Sequence, residues 1–374
     1  MSGRSGSPRI VSASLALIIG LLTAGALAGP AGAAPQGPWA LPAGDLSATG
    51  GSAGNPQIAI APDGSTTAVW YRFNGTHTII QAATQPPGGA FGLPVDLSAT
   101  GQNANTPQIA IAPDGSATAV WDRYDGTNNI IQASTRPPGG AFAVPVDLSA
   151  IGRNAIEPQI AIAPDGSATA VWRRFNGNND IVQAATRPPS GAFGAPVDLS
   201  AVGRNAVSPQ IAIAPDGSTT AVWSRPNGTN VLIQAATRPP GGAFAVPVDL
   251  SATGQTAFDP QIAIAPDGSA TVVWRRYNCT HYIVQAATRP PSGTFGPPVD
   301  LSAIGQDANT PQIAIADDGS ATVVWRRSNG THYIVQAATR PPSGAFGTPV
   351  DLSVGQNAFD PQIAIAPDGS TTAV

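Results

Sequence analysis

Three carboxylates in neighbouring segments, Asp122, Glu157 and Asp180, are the residues of this chain best suited to bond-breaking chemistry. Two such groups flanking a glycosidic bond can act as acid and base, or as acid and nucleophile. Against that use, Glu157 fills a position where Asp259 and Asp360 recur. A residue that returns once per repeat belongs to the scaffold before it belongs to a single active centre. No Ser-His-Asp set, phosphate-binding glycine loop or zinc motif accompanies the three. The expectation is therefore binding rather than catalysis.

The candidates for binding form a second, regular set. Trp70, Trp121, Trp172, Trp223, Trp274 and Trp325 are each followed two residues later by Arg72, Arg123, Arg174, Arg225, Arg276 and Arg327. In a strand, residues two apart point to the same side. Each pair is thus a candidate pocket, with indole as a stacking platform and guanidinium as a hydrogen-bonding fork for sugar hydroxyls or carboxylates. The structural alternative makes Trp a core wedge and pairs Arg with the repeated Asp of V-D-L-S (Asp96, Asp147, Asp198, Asp249, Asp300, Asp351).

His77, His281 and His332 share one repeated position, filled elsewhere by Asn128, Asn179 and Asn230. They fall in separate turns, so convergence on a metal is not expected. The Asp-Gly turns lack the ligand spacing of a calcium loop. Neither metal nor cofactor is therefore expected. The lone Cys279 replaces the Gly of an Asn-Gly-Thr turn and cannot form an internal disulfide.

The spacing of the tryptophans supplies the architecture that must position these groups. They stand 51 residues apart at every step, within a unit typified by PQIAIAPDGSATAVW at Pro158 to Trp172. A strict period of this size specifies stacked repeats, each burying its core against its neighbours. Each unit holds four strand candidates. Gln159 to Ala163 and Ala168 to Arg174 are joined by Pro164-Asp165-Gly166, where Pro presets φ and Gly accepts a positive φ. Ile181 to Thr186 follows an Asn-Gly turn, and Phe193 to Leu199 contains Pro196, which fits only an outer edge. Four short antiparallel strands with an outer proline describe an all-β, seven-bladed propeller. A β-helix is the runner-up, but hairpin turns reverse the chain instead of coiling it onward.

The segments P-Q-I-A-I-A-x-D-G, V-W, N-G and I-V-Q resemble the NHL-type propeller repeat. G-A-F-G-x-P-V-D-L-S is similar to repeats of secreted bacterial propellers grouped with sialidase-like proteins. The resemblance implies blades and a lectin-like or sialidase-like setting. It departs from true sialidases, because the S-x-D-x-G-x-x-W spacing is absent.

The expected organisation is a signal peptide at 1–34 and a propeller at 35–374. Six full blades occupy 56–106, 107–157, 158–208, 209–259, 260–310 and 311–360. Residues 35–55, including Trp39, would form the outer strand of a closing blade whose inner strands come from 361–374. The sequence stops at Val374, one residue before the next Trp falls due, and is expected to be a truncated reading frame. Arg4 and Arg9 before the apolar stretch Ile10 to Leu27 predict export, and no later stretch is apolar enough to span a bilayer.

Composition narrows the partner. All 18 basic residues are Arg, and the net charge is −4, which argues against nucleic acid. Comparing the units, the first and third turns are nearly fixed, whereas variation gathers in the second turn and the blade-to-blade link. In an up-and-down blade these variable parts share one face, where binding is expected. The reading is a secreted, multivalent module that binds a glycan or cell-surface polymer. An exported glycan-processing enzyme and a protein-interaction scaffold are the alternatives; the oligomeric state is left open.

Overall fold

The structure, a computed structural model, describes residues 44–366 and 368–374. The expected signal peptide and the strand around Trp39 lie outside the described residues. Every regular element described is a strand. Six four-stranded antiparallel sheets follow one another, each with its strands in sequence order, and a two-stranded hairpin ends the chain. The inner strand of each sheet touches the inner strand of the next. This is a propeller of six complete blades, with the hairpin at the seventh position.

Blade three stands for the rest. Its strands are Ala155–Ile162, Ala168–Phe175, Asp180–Arg187 and Val197–Asp198. The first turn closes through Gly166 N–H to Ala163 O at 2.9 Å, with Gly166 at φ 85°. Asp165 Oδ1 accepts the Ser167 N–H at 2.8 Å and fixes the turn from within. In the second turn Asn176 Oδ1 accepts the N–H groups of Asn178 and Asn179, which explains the recurring Asn or Asp there.

Two strands differ from the sequence expectation. The outer one keeps only Val197 and Asp198, since Pro196 has no N–H to offer the ladder. Ser200 Oγ then accepts the Val182 N–H at 3.0 Å and ends the pairing. The inner strand is longer, beginning at Ala155 instead of at Gln159. It crosses Pro158 through a bulge, described below.

The core lies between blades. Along the second strand, Ala168, Ala170 and Trp172 pack on Val120, Ile131 and Leu148 of blade two. Val171 faces the other way, into the cluster around Trp223 of blade four. The pattern repeats at the later gaps. Truncating an enclosed indole such as Trp172 costs about 3–5 kcal/mol. On the axis, inner strands of blades two to six and the terminal hairpin enclose a cavity of about 170 Å³, walled by Ile211, Ile262, Ile313 and their equivalents.

The ring has a seam. The terminal hairpin, Ile363–Ile365 with Thr371–Ala373, packs Ile363 on Val324, Val335 and Ala337 of blade six. On the other side Leu46 packs on Trp70, and Ala48 O accepts from Arg72 Nε at 3.5 Å, as Ala201 O does from Arg225. Cover is nevertheless thinner here. Leu352 is 48% exposed, against 5% for Leu97, Leu148, Leu199, Leu250 and Leu301. Ala53 is exposed where Ala104 and Ala155 are fully buried.

Native-state hydrogen exchange should therefore find amides of the terminal hairpin and of Ala53–Ile60 exchanging first, and those of blades three and four last. Equal protection of all blades would contradict a seam of weaker burial.

Candidate functional site

In blade three Val171 pairs with Gln159 but Arg173 pairs with Ile156, so the inner strand carries one extra residue opposite Trp172. The same shift recurs in the other complete blades. The residue before the proline absorbs it by taking a left-handed conformation. Asn55, Thr106, Glu157, Ser208, Asp259, Thr310 and Asp360 all have φ between 48° and 58°. A residue before proline is ordinarily extended, and a non-glycine at such φ costs of the order of 1–3 kcal/mol. Thr106 and Thr310 are the most strained of these, being β-branched. The bulge turns the pre-proline side chain toward the residue directly after Trp on the second strand, on the variable face.

Each blade thereby juxtaposes two variable residues, and their chemistries answer one another. In blade two the Thr106 hydroxyl donates to the Asp122 carboxyl. In blade three Arg173 Nη1 meets Glu157 Oε1 at 3.0 Å, and its Nε lies 3.7 Å from Asp180 Oδ2. The other Glu157 oxygen accepts the Ser208 N–H of blade four at 3.3 Å. In blade four the residue after Trp223 is the buried Ser224, opposite Val207 and next to the bulge residue Ser208. In blade five Arg275 Nε lies 2.7 Å from Asp259 Oδ2, while its Nη1 donates to Asn309 Oδ1 of blade six at 3.1 Å. The same guanidinium rests on the rings of Phe258 and Tyr282, at 5.5 and 4.8 Å from their centroids.

The three acidic candidates are thus gathered around two adjacent blades. Glu157 and Asp180 share Arg173. Asp122 lies close enough to feel the charge of Glu157, yet it is only 4% exposed. Burial pushes its carboxyl up to about 7; the Thr106 bond acts the other way, and the Glu157 charge adds to the rise.

The tryptophans have a different setting. Trp121, Trp172, Trp223, Trp274 and Trp325 are fully buried and Trp70 nearly so, all in the gaps between blades. Their indole faces contact apolar side chains. Three indole N–H groups donate to the Gln directly across on the third strand: Trp121 to Gln132, Trp223 to Gln234 and Trp274 to Gln285. That Gln in turn donates to the Asp of V-D-L-S in every complete blade, as from Gln183 Nε2 to Asp198 Oδ1 at 2.7 Å. The register explains this, because Gln183 stands opposite both Trp172 and Asp198. Arg was the expected partner of these aspartates; Arg276 to Asp300, at 3.5 Å, is the single ion pair of that kind among the described residues. Arg72, Arg123, Arg174, Arg225, Arg276 and Arg327 are half-buried under the preceding link, where Arg72 and Arg225 donate to its carbonyls.

His77, His281 and His332 take their turns' Asn oxygens through backbone N–H groups. No group of three or more His, Cys, Asp or Glu able to hold a metal occurs among the described residues.

A further set escaped the sequence reading. Arg136, Arg187, Arg238, Arg289 and Arg340 end their third strands, nearly buried, on the opposite face. Arg136 Nη1 donates to Thr84 of the preceding blade at 2.6 Å, and Arg238 to Thr186 at 2.7 Å. Desolvation lowers their pKa, and the first-turn Asp of an earlier blade, Asp63 for Arg136, opposes this. Their 51-residue spacing was the available signal.

Comparison with known proteins bears on the fold. A scan against protein-family models and a search of curated proteins both found no match. Among solved structures, a saccharide-bound ulvan lyase, described as a new family of polysaccharide lyase, superposes with a TM-score of 0.53 at 10% identity, over 78% of this chain and 81% of that one. An α-L-arabinofuranosidase of Fusarium graminearum with arabinobiose gives 0.47 at 14% identity, over 77% and 92%. A protein of unknown function from Dyadobacter fermentans gives 0.49 at 13%, over 79% and 93%.

Asp122 should leave a signature in stability against pH. Its proton is bound in both states below the ordinary value of 3.8, and only in the folded state from there to about 7. Stability therefore falls as pH rises through that window, by on the order of 4 kcal/mol, and levels off above it. Urea unfolding between pH 4 and 8 should show this fall in the wild type and a flatter profile in Asp122→Asn. Parallel profiles would refute the assignment.

Proposed function

We propose that the protein is an exported binding module that engages a carbohydrate polymer on the face bearing the bulges. The observation that carries this reading is the set of juxtaposed polar pairs: one geometric position, repeated around the ring, filled with different chemistry in each blade. A scaffold position under packing constraint alone would repeat its residue, as Trp, Gln and the Asp of V-D-L-S do. Polar, hydrogen-bonding and aromatic groups such as Tyr277 and Tyr282 together suit sugar hydroxyls and ring faces. Weak contacts in several blades would add through simultaneous engagement of one polymer. Export is supported by the charged and apolar N-terminal sequence, and a polysaccharide as target by the ulvan lyase of like fold.

Glycan hydrolysis is the second reading. It is favoured by Asp122, whose carboxyl burial pushes up to about 7 beside a second carboxyl group, that of Glu157. A carboxyl that keeps its proton near neutrality suits a general acid. However, Asp122 is sealed against Thr106, and Glu157 has both oxygens engaged by Arg173 and Ser208. A sugar bond would have to displace these partners to reach either carboxyl.

A glycan array with the purified protein, followed by titration calorimetry of the strongest ligand, tests the proposal. Binding is expected, weakened several-fold by Tyr277→Ala, because a packed aromatic face is worth about 0.5–1.5 kcal/mol. No product should appear with wild type or with the double change Asp122→Asn and Glu157→Gln. Turnover lost in the double variant would favour the enzyme. Silence on every glycan, with capture of a defined protein, would favour a scaffold.

A further inference from the structure

In blades three and five the juxtaposed pair sets an arginine against a carboxylate. Arg173 has Glu157, and Arg275 has Asp259. Blade six repeats the arginine as Arg326, but its bulge residue is Thr310, which offers no carboxylate. Among the described residues Arg326 has no ion pair and no hydrogen bond. The Thr310 hydroxyl is likewise buried without a partner, whereas its counterpart Thr106 donates to Asp122. Two polar groups at positions that complete each other in blades two, three and five therefore stand side by side, both incomplete. Unpaired buried polar groups are costly, which makes such a pair a place prepared for an outside group.

The surroundings say which group. Arg326 lies over a corner made by two tilted rings, 4.9 Å from the Tyr333 centroid and 5.5 Å from that of Phe359. Both rings are partly exposed, at 39% and 52%, so apolar ring surface borders the cation. Blade five shows a related cradle, complete: Arg275 lies on Tyr282, the counterpart of Tyr333, and on Phe258 of its own inner strand, with the Asp259 carboxylate on its nitrogen. We infer that Arg326, Thr310, Tyr333 and Phe359 form a subsite for a carboxylate-bearing sugar, a uronic acid residue of the bound polymer. The carboxylate takes the place that Asp259 holds in blade five, the Thr310 hydroxyl donates to it, and the sugar ring lies against the aromatic edge. This rests on the carbohydrate-binding reading and narrows it to acidic polysaccharide.

The test compares a galacturonic acid tetramer with its methyl-esterified, uncharged form by titration calorimetry on the full chain. Wild type should bind the acid form at least tenfold more tightly, with the difference shrinking as salt rises. Arg326→Gln should bring both forms to the same affinity. Thr310→Asp provides the decisive variant, since it installs the internal carboxylate already seen at Asp259. It should raise the unfolding temperature while abolishing preference for the acid. Equal affinity of wild type for the two forms, or unchanged preference in both variants, would overturn the subsite. Binding of neutral arabinan or galactan oligosaccharides without any for the acid tetramer would sink this inference and leave the general reading standing. Binding of none of these glycans would sink both.

Discussion

No blade of this propeller has a core of its own. A four-stranded sheet with apolar side chains on both faces is stable only between two others, and the indole after each Ala-Val or Val-Val fills that gap. Everything else follows from seating the Trp. Its position fixes the Gln across the ladder, the Gln fixes the outer Asp, and the inner strand must bulge where it passes the Trp. The bulge supplies the polar rim of the variable face. Packing and display are thus one arrangement seen from its two ends.

The polar rim is not a uniform ring of sites. Acidic groups collect in blades two and three, small hydroxyls in blade four, and arginine on aromatic rings in blades five and six. The partly exposed ion pairs contribute little to stability, on the order of 1 kcal/mol or less each. Their presence is better understood as holding charged side chains in fixed directions. A surface graded in this way favours a ligand with its own internal order, such as a polymer with acidic and neutral residues, over seven copies of one small molecule.

How much could be read beforehand differs between fold and site. The tryptophan spacing, the Pro-Asp-Gly turn and the outer proline sufficed for blades and their order. The bulge was not readable, because a residue before proline is expected to be extended, and Glu157 and its equivalents are left-handed instead. With the bulge hidden, the inner strand reads as starting only after the proline, at Gln159. The residue directly after Trp varies from unit to unit, but the arginine one step further repeats in all six and shares the indole's side of the strand. Only the register and the ion pair show that it is Arg173, directly after the Trp, that faces Glu157. The inter-blade arginines Arg136 to Arg340 were hidden for a simpler reason: beside two prolines they looked like part of a turn.

The left-handed pre-proline position also sets what this surface is able to say. Asn and Asp tolerate such a backbone best, and the seven occupants, Asn, Thr, Glu, Ser, Asp, Thr and Asp, are all polar. Sequence drift at these positions therefore swaps one hydrogen-bonding word for another and almost never introduces a large apolar one. Aromatic content has to be written elsewhere, at the strand ends that supply Tyr277, Tyr282 and Tyr333. The backbone has in effect divided recognition into two independent alphabets, and specificity can be rewritten in either without re-spelling the fold.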